Sequence, residues 1–170
     1  MDLRAVDELL ASCVERDQLA GVSYAILQDG ELVAQQCVGW ADREAGVPLG
    51  PEHLFRVFSN TKLVTSCAAL QLLEQGLFGL EDPVGEYIPA LASLRVLRPG
   101  AVGLDDTEPA EPVRIRHLLT HTAGFTYPFL QPDAAISKAY TAAGIVDPSL
   151  DLAAMVQALG RLPLLFQPGS

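Results

Sequence analysis

The sequence has little positive charge and few cysteines. Its 170 residues carry 11 lysines and arginines against 21 aspartates and glutamates, which gives a net charge of −10. This balance disfavours nucleic acid and anionic membrane surfaces as partners. The three cysteines, Cys13, Cys37 and Cys67, are an odd number and lie far apart. We interpret them as reduced core residues, because neither a disulfide framework nor a metal site fits that spacing.

Long apolar runs are also missing, so the sequence predicts no membrane span. The first eight residues contain acids where a secretory signal needs bases, and no apolar stretch follows them. We therefore expect a cytoplasmic protein. The chain is nonetheless 49% apolar, a high share for a freestanding domain, and part of this apolar surface is expected to contact something outside the chain.

The first half of the sequence predicts two helices around a β-hairpin. Apolar residues at helical spacing indicate an amphipathic helix over residues 2–17. Strand-like segments at 22–28 and 31–39 are joined by Asp29-Gly30, a strong hairpin signal. Apolar residues cover most of the surface of a helix over 61–75, which predicts burial on nearly all sides.

The second half is predicted as short helices separated by long loops. The expected helices cover residues 80–88, 113–119 and 149–161, and the expected irregular stretches cover 93–112 and 125–148. A two-stranded hairpin is marginal by itself. The sheet is therefore expected to be unfinished in this chain.

Ser59 and Lys62 form a Ser-x-x-Lys pattern where the helix over 61–75 begins. Residues three apart in a helix share one face, and a helix N-terminus carries free N–H groups and a partial positive charge. A developing oxyanion is stabilised there. A lysine can take a proton from serine only when its pKa is lowered towards neutrality, and burial in an apolar setting has that effect. The pattern predicts a nucleophile and its base, although an N-cap serine is the simpler alternative.

His117 and His121 have the spacing of metal ligands, but the glutamate of a His-Glu-x-x-His site is absent. We favour a structural role for both, with no metal, in the turn that ends at Gly124. A triad with either histidine stays open, although Ser59 lacks a Gly-x-Ser-x-Gly elbow. Tyr127 follows the turn and is a candidate to line a pocket.

Two segments together resemble a known family: residues 54–62, which end in the Ser-x-x-Lys pattern, and residues 117–124, His-Leu-Leu-Thr-His-Thr-Ala-Gly. The chain resembles serine hydrolases of the class C β-lactamase and penicillin-binding protein superfamily, and it is most similar to their family VIII carboxylesterases. The resemblance implies an α/β (α+β) fold of the β-lactamase-like, transpeptidase-like type. In this fold an antiparallel sheet is flanked by helices and joined to a helical subdomain.

The resemblance also implies how the chain divides between two domains, and it implies that part of the family's catalytic site lies outside this chain. Residues 1–80 correspond to the N-terminal part of the α/β domain, and residues 81–170 to part of the helical domain. The family's catalytic tyrosine and the strand beside its nucleophile are expected after Ser170. The expected partner is therefore the remainder of the same polypeptide or a second chain.

By this resemblance Ser59 is acylated and Lys62 deprotonates it. Tyr127 does not sit in the family's tyrosine motif, and we expect it to bind substrate only because of its position just after the turn that ends at Gly124. The expected reaction is hydrolysis of a small-molecule carboxylic ester without a cofactor. A lactam substrate is the alternative, as in a β-lactamase, and so is the chemistry of a D-amino peptidase or an acyltransferase of the same superfamily. A non-catalytic penicillin-binding-type sensor is the alternative outside the enzymes.

Overall fold

A computed structural model describes residues 2–170. They form two compact units, one up to Phe58 and one from Ser59 to Ser170. The predicted division at residue 80 concerns the complete fold and stays a prediction. Each unit is described here by itself.

The first unit contains one helix and one antiparallel sheet. Helix α1 is Arg4–Glu15, and strands β1 (Gly21–Gln28), β2 (Glu31–Asp42) and β3 (Val47–Pro48) follow in the order β1-β2-β3. The Asp29-Gly30 hairpin is confirmed. Both turn residues have positive φ, 52° and 82°, as a two-residue turn that follows the strand twist requires.

Packing in the first unit is shallow. The Tyr24 hydroxyl of β1 donates to Asp7 of α1 at 2.8 Å, which ties the helix to the sheet. None of residues 2–58 is buried, so a single sheet and a single helix do not enclose a core. The segment that leaves the unit is open, with Leu54 99% exposed.

A 3-10 turn, Phe58–Asn60, starts at the last residue of the first unit and leads into α2 (Thr61–Glu74), the first helix of the second unit. The later elements are α3 (Val84–Tyr87), a second 3-10 turn (Pro89–Leu91), β4 (Arg95–Leu97), β5 (Thr107–Pro109), α4 (Ile115–Leu119), α5 (Ala135–Ala142) and α6 (Leu152–Leu159). Helix α3 ends at Tyr87, close to the end at residue 88 that the sequence predicted, and Pro89 begins the second 3-10 turn.

Two stretches predicted as irregular contain regular elements. Within 93–112, β4 and β5 pair antiparallel, and β4 also exchanges hydrogen bonds with Leu164, far along the chain. Within 125–148, α5 forms and buries Ile136 and Tyr140, one turn apart. Both expectations were wrong because contacts distant in sequence stabilise these short elements, and a local pattern does not record such contacts.

The core of the second unit lies between residues 84 and 164. Seven buried side chains compose it: Val84, Leu91, Leu94, Val96, Val113, Ala123 and Leu164. They come from α3, the second 3-10 turn and the residues that lead from it into β4, the loops on either side of α4, and the segment after α6. Backbone bonds hold these pieces together, including Val84 N–H to Val113 at 2.7 Å and Leu165 N–H to Gly124 at 2.8 Å.

Helix α2 does not have the predicted burial. None of its residues is buried, and Leu63 and Val64 are 70% and 72% exposed. The apolar residues do surround the helix as the sequence indicated, but within residues 2–170 they meet too few neighbours to be covered. The cysteines also differ from the expectation of core residues: all three are free, Cys13 and Cys37 are half-buried, and Cys67 on α2 is exposed.

None of the helices within residues 2–170 has the length and apolar character that crossing a membrane requires.

Candidate active site

Ser59 and Lys62 are in direct contact. Lys62 Nζ lies 2.9 Å from Ser59 Oγ in hydrogen-bond geometry. Within residues 2–170, Ser59 Oγ accepts this hydrogen bond from Lys62 Nζ and makes no other with a side chain. Lys62 is half-buried and Ser59 is exposed, so the apolar burial that the sequence argument assigned to Lys62 is only partial among the described residues.

The backbone around Ser59 has two features that suit a reactive serine. Phe58, directly before it, has φ +43°, a conformation that costs free energy in a non-glycine residue and that clusters at functional sites. The Asn60 side chain, at the N-cap of α2, makes no capping hydrogen bond within the described part of the chain. The side chain of Asn60 therefore does not occupy the N–H groups at the start of α2.

Tyr127 lies beside the lysine. The centre of its ring is 6.0 Å from Lys62 Nζ, at the outer limit of a cation–π contact. The ring stacks on Phe129 with 5.0 Å between ring centres. Tyr127 and Lys62 line one cavity of about 300 Å³, together with Phe125, Tyr140 and Met155.

His117 and His121 differ in their surroundings. His117 is buried, and its Nδ1 accepts a hydrogen bond from the Arg114 N–H at 3.1 Å. The ring proton is therefore on Nε2, and the Arg116 side chain 3.3 Å from Nε2 is a contact rather than a second donor. Burial is the main cause that lowers the pKa of His117, and the positive charges of Arg116 and Arg114 lower it further. The neutral ring thus fixes the start of α4.

The turn after α4 is held by short bonds and by a glycine. Thr120 Oγ1 lies 2.9 Å from Thr122 Oγ1, and the Thr122 N–H donates to the His117 carbonyl at 2.9 Å. Gly124 has φ +91°, and a Cβ there would stand 2.4 Å from the Phe166 carbonyl oxygen. Only glycine fits this position, where the chain presents Phe125 and Tyr127 to the cavity.

His121 is exposed, has φ +58° and lines the same cavity as Lys62. Within residues 2–170 no group of acidic, cysteine and histidine side chains is arranged to hold a metal ion. The contacts of His117 suit the structural role predicted for it, and the structural role predicted for His121 stays a prediction.

Sequence reasoning missed Tyr140 and Met155, which line the cavity from α5 and α6. Tyr140 is 1% exposed, and burial raises the pKa of its hydroxyl to about 12. The available signal was the pair Ile136 and Tyr140 at i, i+4. Pro132 and Gly144 on either side of it favoured a loop instead.

The chain belongs to the beta-lactamase family, whose model matches residues 6–170. This confirms the family resemblance and the β-lactamase-like, transpeptidase-like fold class. Among curated proteins, the chain is 39% identical to Protein Rv1367c of Mycobacterium tuberculosis over 153 residues, which are 89% of this chain and 37% of that protein. It is 33% identical to Esterase EstB of Burkholderia gladioli over 169 residues, which are 97% of this chain and 40% of EstB.

Among solved structures, the fold is similar to EstCE1, described as a hydrolase with promiscuous acyltransferase activity. The TM-score is 0.81 at 30% identity, and the match covers 98% of this chain and 42% of EstCE1. The chain thus spans about two fifths of the length of these relatives.

Proposed function

We propose that this chain carries the nucleophile and the base of a serine carboxylesterase, with Ser59 as nucleophile and Lys62 as base. The observation that carries the proposal is the 2.9 Å contact between Lys62 Nζ and Ser59 Oγ at the start of α2. The similarity to EstB and EstCE1, an esterase and a hydrolase by their names, supports ester chemistry.

The proposed reaction has two halves. When Lys62 is neutral, Nζ takes the proton of the Ser59 hydroxyl, and Oγ adds to the ester carbonyl. The carbonyl oxygen becomes an oxyanion, which the positive end of α2 and its free N–H groups stabilise. As the intermediate collapses, the carbon–oxygen bond to the alcohol breaks, and the protonated Nζ gives its proton to the departing alcohol. In the second half, neutral Nζ takes a proton from a water molecule whose oxygen adds to the acyl carbonyl. The bond between the acyl carbon and Ser59 Oγ then breaks, Nζ returns the proton to Oγ, and the acid leaves.

Tyr127 is proposed to contact the substrate beside the nucleophile. It is 42% exposed and lines the cavity that Lys62 also lines. An acyl group attached to Ser59 would therefore lie against its ring. A histidine-based mechanism is less supported, because Ser59 Oγ bonds to Lys62 and His117 is bonded to the backbone of α4.

The activity, substrates and partners of the whole protein are part of this proposal. We propose a small-molecule ester as substrate, a cytoplasmic location, and a further protein segment that covers the exposed face of α2. That segment would come from the same polypeptide or from a second chain. The exposure of Leu63 and Val64 supports it, since apolar patches on a protein surface often mark contacts.

The test compares matched pairs of variants in the complete natural polypeptide. Ser59→Ala should abolish labelling by a fluorophosphonate probe and lower p-nitrophenyl butyrate hydrolysis by at least about a thousandfold. Ser66→Ala, on the same helix, should leave both unchanged. Labelling that survives Ser59→Ala would show that another serine is the nucleophile.

Lys62→Ala should lower the rate of acylation by at least about a hundredfold, the scale of a general base. Lys138→Ala removes the chain's other lysine and serves as its control. An active Lys62→Ala variant together with an inactive His121→Ala variant would favour a histidine base instead.

A further inference from the structure

The cavity beside Lys62 is enclosed at one end and open at the other. Tyr140, on α5, is 1% exposed, whereas Tyr127 and Val146 are 42% and 55% exposed. Since all three line the cavity, Tyr140 marks its floor and the other two mark its rim. The side chains of Met155 and Leu159, on α6, form part of the wall.

The nucleophile lies on the rim side of this cavity. Lys62 Nζ is 6.0 Å from the Tyr127 ring centre and 2.9 Å from Ser59 Oγ. A carbonyl carbon bonded to Ser59 would therefore be close to the rim. A chain that leaves this carbon and enters the cavity would run towards Tyr140.

The residues that line the cavity determine which acyl groups it can bind. Of those that line the cavity, all within the described part of the chain, none is an aspartate or a glutamate, and most are apolar. The lining therefore offers no carboxylate that could pair with an ammonium group. A buried ammonium without a carboxylate partner is strongly unfavourable, so the cavity disfavours a substrate whose acyl part carries an amino group.

We propose that this cavity binds the acyl part of the substrate, that this part is an aliphatic or aromatic group without an amino group, and that Met155, in the cavity wall, limits its size. The inference rests on the proposed function, because it takes Ser59 as the acylated atom. A volume of about 300 Å³ is at the lower end for small-molecule sites, which suits an acyl group of moderate size rather than a long lipid chain.

The test changes the wall of the cavity in the complete natural polypeptide. Met155→Trp fills space, so the ratio of kcat/KM for p-nitrophenyl hexanoate to that for acetate should fall about tenfold, the scale of one or two methylene contacts. Met155→Ala should shift the preference towards longer chains. Leu152→Trp adds the same bulk on the same helix at a residue that is 77% exposed, and the ratio should not change.

A second measurement compares two acyl groups that differ by one amino group. The propionyl ester of p-nitrophenol should be cleaved at least about tenfold faster than its D-alanyl ester, because the cavity offers the ammonium no partner. A preference for the D-alanyl ester would overturn the inference and would favour an amino-acyl substrate.

The outcomes separate this inference from the proposed function. If Ser59→Ala abolishes hydrolysis and both Met155 variants keep the natural chain-length ratio, the cavity assignment is wrong and the proposed function stands. If Ser59→Ala stays active, the proposed function itself is wrong. Acetate hydrolysis reports whether each variant is folded. If Met155→Trp loses acetate hydrolysis, the chain-length ratio of Met155→Ala is used to test the inference. Met155→Ala is expected to fold, because it only removes atoms from a half-buried side chain.

Discussion

The core between residues 84 and 164 and helix α2 are both rich in apolar side chains but differ in burial. Val84, Val96 and Leu164 in the core are at most 1% exposed, whereas Leu63 and Val64 on α2 are at least 70% exposed. The core is built from six or more short segments that each contribute one or two residues. Helix α2 is a single long segment that is apolar on all sides.

The difference shows that apolar content and burial are separate properties. Burial requires neighbours on every side, and the short segments of the core supply them to one another. The helix that begins beside Ser59 would need neighbours on several sides at once. We therefore expect the core and helix α2 to respond differently to mutation and to the addition of a further protein segment.

The largest expected effect is on activity. We expect residues 1–170 alone to show no measurable hydrolysis of p-nitrophenyl butyrate, and we expect a longer polypeptide that supplies the proposed cover of α2 to hydrolyse it. The physical reason is that a nucleophile works only when its support holds it within about 0.5 Å of the productive geometry, and α2 is largely exposed. Ester hydrolysis by the two proteins at equal concentration is the measurement. Full activity of residues 1–170 would show that α2 needs no further cover.

The next effect is on stability. Leu164→Ala should lower the free energy of unfolding of this chain by about 2–5 kcal/mol, because Leu164 is fully buried. Leu63→Ala removes the same atoms from an exposed site, so it should change that free energy by less than about 0.5 kcal/mol. Urea denaturation of the two variants measures the difference. Equal costs would mean that α2 is as well packed in solution as the core.

The same pair sharpens the comparison in the complete natural polypeptide. If a further segment covers α2, Leu63→Ala should become clearly more destabilising there, while the cost of Leu164→Ala stays the same. If Leu63→Ala lowers the free energy of unfolding equally in both proteins, the proposed cover of α2 is contradicted.

The smallest effect concerns pH and the start of α4. Burial and two arginines lower the pKa of His117 in the folded chain, so below about pH 6.5 the unfolded chain binds a proton that the folded chain does not. Stability should therefore fall as the pH drops from about 6.5 towards the lowered pKa, and it should be unaffected by this group at higher pH.

His117→Asn keeps an acceptor near the position of Nδ1 and removes the titration. The stability loss between neutral and acidic pH should be smaller in this variant than in the natural chain, and His121→Asn should leave that loss unchanged. Equal pH dependence in His117→Asn and the natural chain would exclude the buried histidine as its source.

The first half of the fold could be predicted from the sequence because its signals are local. The Asp29-Gly30 turn lies between alternating strands, and α1 has one apolar face. The Ser59–Lys62 contact also follows from local geometry, since residues three apart at a helix start face the same side. The family model, which covers residues 6–170, confirms the resemblance inferred from two short motifs.

The second half could be predicted only in part. Strands β4 and β5 are three residues each, and β4 depends on Leu164, about seventy residues away. Helix α5 lies between a proline and a glycine that favour a loop. Both elements are determined by long-range packing, so the cavity wall formed by Tyr140 was not visible in advance.

The sequence by itself determined the hairpin, the long apolar helix α2, and the placement of a serine and a lysine on one side of its start. These features depend on residues within one or two turns of each other. The tertiary structure decided which apolar residues are buried, and it placed Tyr127, Tyr140 and Met155 around one cavity next to Lys62. The physical reason is that burial and cavity shape are sums over contacts between distant segments, whereas turns and helix faces are set by neighbours along the chain.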